Sequence, residues 1–119
     1  MVAQFVVGTL QSLGIDVVDL GMATTPTVEM AVMFEQANGG IILSASHNPK
    51  HWNALKLLNG KGEFISAADG NIILKLAKDD DFTFSEVTDL GSYRKDDSYL
   101  QKHIDAILAL DLVDVEAIK

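Results

Sequence analysis

Helical and strand-like patterns alternate along the first half of the sequence, which predicts an α/β domain built on a layered sheet with right-handed crossovers. Two further observations agree. The run Gly39-Gly40-Ile41-Ile42-Leu43 is apolar without polar alternation, the signature of a strand covered on both faces of a parallel sheet. Small and polar residues then arrive together from Ser44 to Pro49, at the carboxyl end of that strand, where open α/β sheets hold their ligands.

Val2, Phe5, Val6, Leu10 and Leu13 recur at helical spacing, and Gly14 falls where a helix closes on a left-handed residue. No Ser, Thr, Asp or Asn precedes the pattern, so this helix has no side-chain cap and the chain is expected to open within a domain. Ile15 to Leu20, rich in β-branched residues, reads as a strand, and Gly21 opens a loop. Thr25 and Pro26 predict a second helix, the hydroxyl as cap and the proline at the first helical position. Its apolar face runs through Val28, Ala31, Val32, Met33 and Phe34 to Ala37, just ahead of the strand at Gly39.

Beyond the polar loop, Ala54 to Leu58 is a short strand, apolar except at Lys56, and Asn59-Gly60 predicts a turn. Glu63-Phe64-Ile65 reads as an antiparallel return. Ser66 with Asp69 resembles a capping box, opening a helix whose buried face is expected to be Ile72, Ile73, Leu76 and Ala77. Lys78 to Asp81 breaks that pattern and reads as a solvated acidic loop, since its spacing is not that of a calcium loop. Glu86 to Asp97 reads as a polar connector. Tyr99 to Leu110 predicts a final amphipathic helix with Leu100, Ile104, Ile107 and Leu108 on one face, and Leu112, Val113, Val115 and Ile118 continue the apolar pattern.

With 119 residues, 48% hydrophobic and 22% charged, one soluble domain is the expectation. Seventeen acidic against nine basic residues give a net charge of -8, which argues against nucleic acid or an anionic membrane as partner. The absence of cysteine excludes disulfides and thiolate metal sites. Neither a membrane-length apolar run nor a signal-peptide pattern occurs, so the cytoplasm is the expected compartment.

The sequence Ser44-Ala45-Ser46-His47-Asn48-Pro49, after a Gly-Gly-Ile-Ile-Leu strand and before Trp52-Asn53-Ala54-Leu55-Lys56, resembles the phosphoserine loop of the α-D-phosphohexomutases. Many members have Thr where this chain has Ser44, and Asn-Gly-x-Lys where it has Asn53-Ala54-Leu55-Lys56. The resemblance implies a three-layer α/β/α sandwich with a mostly parallel mixed sheet, here without its amino-terminal strands. Residues 1–97 then form the larger part of domain I of a four-domain enzyme, and residues 98–119 a helix leading toward domain II. The implied activity moves phosphate between the 1 and 6 positions of a hexose phosphate, through a phosphoserine and a hexose bisphosphate that also serves as activator.

Serine is a poor nucleophile at neutral pH and needs an adjacent base or a pre-installed phosphate; the resemblance implies the second route for Ser46. Read by type alone, Ser46 is a turn or capping residue. His47 is a candidate for binding sugar or phosphate oxygens and for stabilising developing charge, or else a loop histidine bonded to backbone. His47 and His51 have the four-residue spacing of helical metal ligands, but Pro49 between them spoils the helix and no third ligand is evident. Asn48 is a candidate substrate contact, and with Pro49 it fixes the loop; Trp52 and Asn53 pack or orient. Lys56, set among Leu55, Leu57 and Leu58, is expected to be partly desolvated, and the resemblance makes it the proton-transfer group for the sugar hydroxyl; alternatively it is an edge-strand lysine facing water.

The family's Gly-Arg-Asp-x-Arg segment, its Asp-rich magnesium loop, its sugar-selecting loop and its phosphate-gripping loop do not occur in these residues, and Arg94 is the sole arginine. The implied Mg²⁺ therefore takes from this chain only a phosphate oxygen on Ser46, with its carboxylates from elsewhere. Expected partners are a hexose phosphate and the enzyme's remaining domains, and the isolated chain is expected to be inactive and prone to self-association. Two alternatives stay open: a non-catalytic α/β domain that binds a phosphosugar or a partner protein, and a structural fragment with an inert loop.

Overall fold

The computed structural model describes residues 1–45, 47–49, 52–80 and 82–118. In chain order they form α1 (Val2–Ser12), β1 (Val17–Asp19), α2 (Thr25–Phe34), β2 (Gly39–Ser44), β3 (Ala54–Asn59), α3 (Ala67–Asp79), β4 (Tyr93–Lys95) and α4 (Tyr99–Leu108), with single 3₁₀ turns at Val87–Asp89 and Glu116–Ile118. The α/β class predicted from the alternation is the class observed. β1 pairs in parallel with β4, and β2 pairs antiparallel with β3, so the strand pairing is mixed.

Local chemistry accounts for the element ends. α1 has no side-chain cap at Met1, and it closes through Leu13 into Gly14, whose φ of 74° is left-handed. The strand after it is shorter than expected, three residues in place of Ile15 to Leu20. α2 is capped one residue earlier than expected: Thr24 is extended, and its hydroxyl accepts the Thr27 N–H at 3.3 Å, so Thr25 and Pro26 form the first turn. Asn59 makes the turn after β3, its side-chain oxygen accepting from the N–H groups of Lys61 and Glu63. The predicted return follows: Phe64 bridges Leu58 antiparallel, and Ile65 donates to the Leu57 carbonyl. The capping box is present in full, with Ser66 and Asp69 each accepting from the other's backbone N–H.

The core lies where α2 crosses the β2–β3 pair. Val32, Ile42 and Leu58 are buried together, with Val28 and Ala37 packed on them. Gly40 makes this approach possible, because a Cβ there would lie 2.8 Å from a methyl of Val32. β2 was expected to be buried on both faces; Ile42 is buried with Val32 of α2, whereas Leu43 points to the opposite face and is exposed.

Three expectations are corrected. The connector from Glu86 to Asp97 contains β4, a strand with no apolar signal because all three residues are exposed; its pairing is set by backbone register with β1 and by Asp16, whose carboxylate accepts from both the N–H and the hydroxyl of Ser92 at 2.7 Å. The apolar face of α3 is not buried: Ile72, Ile73 and Leu76 are exposed, and α3 buries no residue against the described elements. On α4 the packed face is not the Leu100-Ile104-Ile107 stripe but Tyr99 and His103, one turn apart. Tyr99 is buried, its ring 6.5 Å from Phe34 and its hydroxyl donating to Glu35, while the Thr27 hydroxyl meets His103 Nδ1 at 2.9 Å. Polar anchors on α2 decide which face of α4 turns inward.

Candidate active-site loop

The β2–β3 hairpin builds the site from its backbone. Six consecutive residue pairs, from Gly39 opposite Asn59 to Ser44 opposite Ala54, hold the strands in register, so the segment 45–53 spans the open end of a ladder with a fixed base. Within it the Asn48 N–H donates to the Ala45 carbonyl at 3.0 Å, and the Trp52 N–H to the Pro49 carbonyl at 2.8 Å. Two turn-like closures thus shape the loop from its own backbone. His47, Asn48 and Pro49 are exposed, Trp52 is 57% exposed, and Ser44 is half-buried at the strand end. Ser46 and His51 lie outside the described residues.

Lys56 stands opposite Ile42 in the register, two residues from Ala54 at the loop base. Strand rise is about 3.3 Å per residue, so its Cα lies about 7 Å along the strand from the loop, within the span of a lysine side chain. The pleat puts Lys56 on the same face as Ala54, Ser44 and the buried Leu58. The residue is half-buried, so it is neither a core lysine nor a fully solvated one. The hairpin therefore brings His47, Asn48 and Lys56 to one end of one small sheet.

Charge is segregated here in a way that sequence reasoning overlooked. From Gln36 to Gly62 there is no Asp or Glu, while Lys50, Lys56, Lys61, His47 and His51 all fall within those limits. In a chain of net charge -8, this is a cationic island, the local field an anionic ligand requires. The signal was available by reading charges by segment rather than in total.

The carboxylates that flank β1 and α4 are committed elsewhere. Asp19 is held below the usual carboxylate range, first by the Gly21 N–H and then by the Tyr93 hydroxyl. Glu35 is lowered by Arg94 and then by Tyr99, and burial with Glu35 beside it pushes the Tyr99 hydroxyl up to about 12. Asp96 is lowered to about 2 by the hydroxyl and N–H of Ser98, with Lys102 assisting. No three His, Asp or Glu side chains converge on a metal position among the described residues, so those residues do not form a magnesium cage. No described helix is long and apolar enough to cross a membrane.

Comparison with known proteins agrees with this architecture. Residues 1–84 match the family described as phosphoglucomutase/phosphomannomutase, alpha/beta/alpha domain I. The whole chain is similar, at 36% identity over 119 residues, to a phosphoglucomutase/phosphomannomutase of Thermococcus kodakarensis, of which it covers 25%. It is 33% identical over 120 aligned positions to a phosphoglucosamine/phosphogalactosamine mutase of Sulfurisphaera tokodaii, covering 26% of that protein. Over 100 residues, 84% of the chain, it is 37% identical to a probable phosphoglucosamine mutase of Methanosphaera stadtmanae, covering 22% of it. The chain spans about a quarter of the length of the curated relatives it matches. An α/β chain whose polar loop closes a strand hairpin, and which matches domain I over most of its length, belongs to the phosphoglucomutase/phosphomannomutase family.

Proposed function

We propose that this chain is the serine-bearing domain of a phosphohexose mutase acting in the cytoplasm, with Ser46 as the phosphoryl carrier. The observation that carries the reading is the Ser44-to-Pro49 run on a register-locked hairpin inside a segment free of carboxylates. A phosphoryl group is transferred mainly by positioning and charge stabilisation, and a loop anchored on a register-paired hairpin, in a segment with lysines and no carboxylates, suits both. In the proposed cycle phospho-Ser46 gives its group to one hydroxyl of a hexose monophosphate while Lys56 takes the hydroxyl proton. The bisphosphate then turns round, and the serine oxygen recovers the phosphate from the other position as Lys56 returns the proton. His47 and Asn48 hold phosphate or sugar oxygens from the exposed side of the loop.

Magnesium, which the family resemblance implies, finds no set of protein ligands among the described residues, so its carboxylates would come from elsewhere in the longer protein. Residues 1–97 are read as the larger part of this domain and residues 98–119 as the segment leading toward the next one, with the substrate enclosed by the enzyme's other domains. Intact-mass and phosphopeptide analysis of the protein purified from its own cell tests the reading. Phosphate on Ser46 at close to one per chain is the expected result; a chain never phosphorylated there, even with a hexose bisphosphate and magnesium supplied to the whole enzyme, leaves the loop as a binding element only.

A further inference from the structure

The chain contains the step Asn-Gly at Asn38-Gly39 and again at Asn59-Gly60, and the fold sets the two side by side at the foot of the β2–β3 hairpin. Gly39 is the register partner of Asn59, and a Cβ on Gly60 would lie 3.3 Å from the Asn38 carbonyl oxygen. Packing requires glycine at position 39 as well, since a Cβ there would come within 2.7 Å of the Leu58 carbonyl oxygen. An asparagine followed by glycine exposes its side-chain amide to the next main-chain nitrogen, because no Cβ shields the approach. The fold therefore keeps a chemically labile step at both places.

Hydrogen bonding separates the two steps. The Asn59 side chain is held at both polar atoms: Oδ1 accepts from the N–H groups of Lys61 at 2.9 Å and Glu63 at 3.1 Å, and Nδ2 donates to Glu63 Oε2 at 3.2 Å. Its backbone is held too, the N–H donating to the Glu63 carbonyl at 2.8 Å and the carbonyl accepting from Gly62 at 3.0 Å. Turning Cγ toward the Gly60 nitrogen breaks the side-chain bonds first. Asn38 differs, being exposed in a bend just before β2 with no side-chain hydrogen bond among the described residues. The Gly39 nitrogen is not held by the hairpin either: Asn59 commits its N–H and carbonyl to the turn, so the two residues form a non-hydrogen-bonded pair and Gly39 points its N–H away from β3.

We propose that Asn38 is a site of spontaneous covalent modification in the folded protein, deamidating to aspartate and isoaspartate, while Asn59 beside it is protected by the turn. In the reaction the Gly39 nitrogen gives up its proton to solvent base and attacks Asn38 Cγ; the new C–N bond closes a cyclic imide, the Cγ–Nδ2 bond breaks, and ammonia leaves. Water then opens the imide. Addition at Cγ gives aspartate, and addition at the main-chain carbonyl gives isoaspartate, whose main chain runs through the former side chain. No electron is gained or lost by either product. The carboxylate formed is the first between Gln36 and Gly62. It lies at the far end of the ladder from the polar loop, since the five residues from Gly39 to Ser44 rise about 3.3 Å each, about twice the screening length of about 8 Å. Its charge is therefore screened from the loop, and the lengthened main chain of isoaspartate, next to the first register pair, is the form that disturbs the hairpin.

The test ages the full-length protein at mildly alkaline pH, in buffer and in concentrated guanidinium chloride, and follows both steps by tryptic peptide mapping with mass spectrometry. Cleavage at Lys50, Lys56 and Lys61 puts Asn38 and Asn59 in different peptides, and fragmentation that distinguishes isoaspartate from aspartate identifies the products. In buffer Asn38 is expected to convert at least about tenfold faster than Asn59, the factor set when several net hydrogen bonds must open before reaction. In guanidinium the two rates should come together, because each asparagine then has only its glycine neighbour to decide its rate. Equal rates in buffer overturn the proposal, and so does an Asn59 that converts first. An Asn38 that stays intact in buffer while it converts in guanidinium would show that the folded protein holds it after all, and a preference for Asn38 that persists in guanidinium would trace it to sequence rather than to the turn; either result also overturns the proposal.

Discussion

Ser46 and Lys56 take part in one chemical step of the proposed cycle, so their substitutions should not add. In the full-length enzyme Ser46→Ala removes the covalent route, while Lys56→Met keeps most of the volume and deletes the proton acceptor. General acid–base help is typically worth about a hundredfold to ten-thousandfold, and Lys56→Met should lower kcat by an amount in that range with little change in KM. Ser46 should still be phosphorylated in that variant. The double variant should be scarcely slower than Ser46→Ala alone, as steady-state rates for the four proteins will tell. Normal turnover by Lys56→Met would return Lys56 to the role of a surface charge and pass the proton to another group, His47 being the next candidate. At this scale the sequence was most legible: an unusual run of residue types pointed to the loop without any knowledge of register. The half-burial of Lys56 agrees with the partial desolvation expected from its leucine neighbours; what could not be read was its cause, a place opposite Ile42 on a face shared with Leu58.

At the scale of elements, apolar patterning found α1 to α4 and the strands β1, β2 and β3, and it failed where polar partners decide. α4 turns Tyr99 and His103 inward because Glu35 and Thr27 wait on α2, and a count of leucines and isoleucines cannot see that. β4 has only an exposed Tyr93 beside Arg94 and Lys95 to announce it, and its place depends on Asp16 gripping Ser92, distant in sequence. Two measurements probe this level. Leu58 is 4% exposed in the small core under α2, so Leu58→Ala should cost about 2–5 kcal/mol in urea unfolding, a large fraction of what a small domain has. Acid should loosen the β4–α4 corner. The Asp96 carboxyl titrates at about 2 in place of 3.8, so the stability it supplies is fully present above pH 3.8 and is lost as the pH falls through about 2. Asp96→Asn should flatten that part of the stability-versus-pH curve, and an unchanged curve would show that the Ser98 contacts do not act in solution.

For the whole molecule, the described core is small for a chain of this length, and long apolar side chains on α3, α4 and the terminal segment face solvent. The 119-residue chain by itself should therefore self-associate or melt at low temperature, readable by light scattering and thermal denaturation; a sharply melting monomer would contradict this. It should also give no turnover of glucose 1-phosphate with magnesium and a bisphosphate primer, and sustained turnover would show that a quarter of a relative's length is enough for catalysis. The fold class could be read from the alternation of helix and strand, but the pairing of β1 with β4 and of β2 with β3 could not, since nothing in a list of elements says which strands are neighbours.

The stretch from Gln36 to Gly62 carries Lys50, Lys56 and Lys61 and no carboxylate, while the acidic residues lie on either side of it, so charge is polarised along the chain. An approaching anion is repelled by the acid-rich segments and drawn toward this one, so orientation begins before contact. Ionic atmosphere shortens that reach to about 8 Å at physiological salt. Added potassium chloride should therefore slow capture of the anion far more than it slows any step that follows, and the molecule's tolerance of salt becomes a gauge of how much of its efficiency is won at a distance.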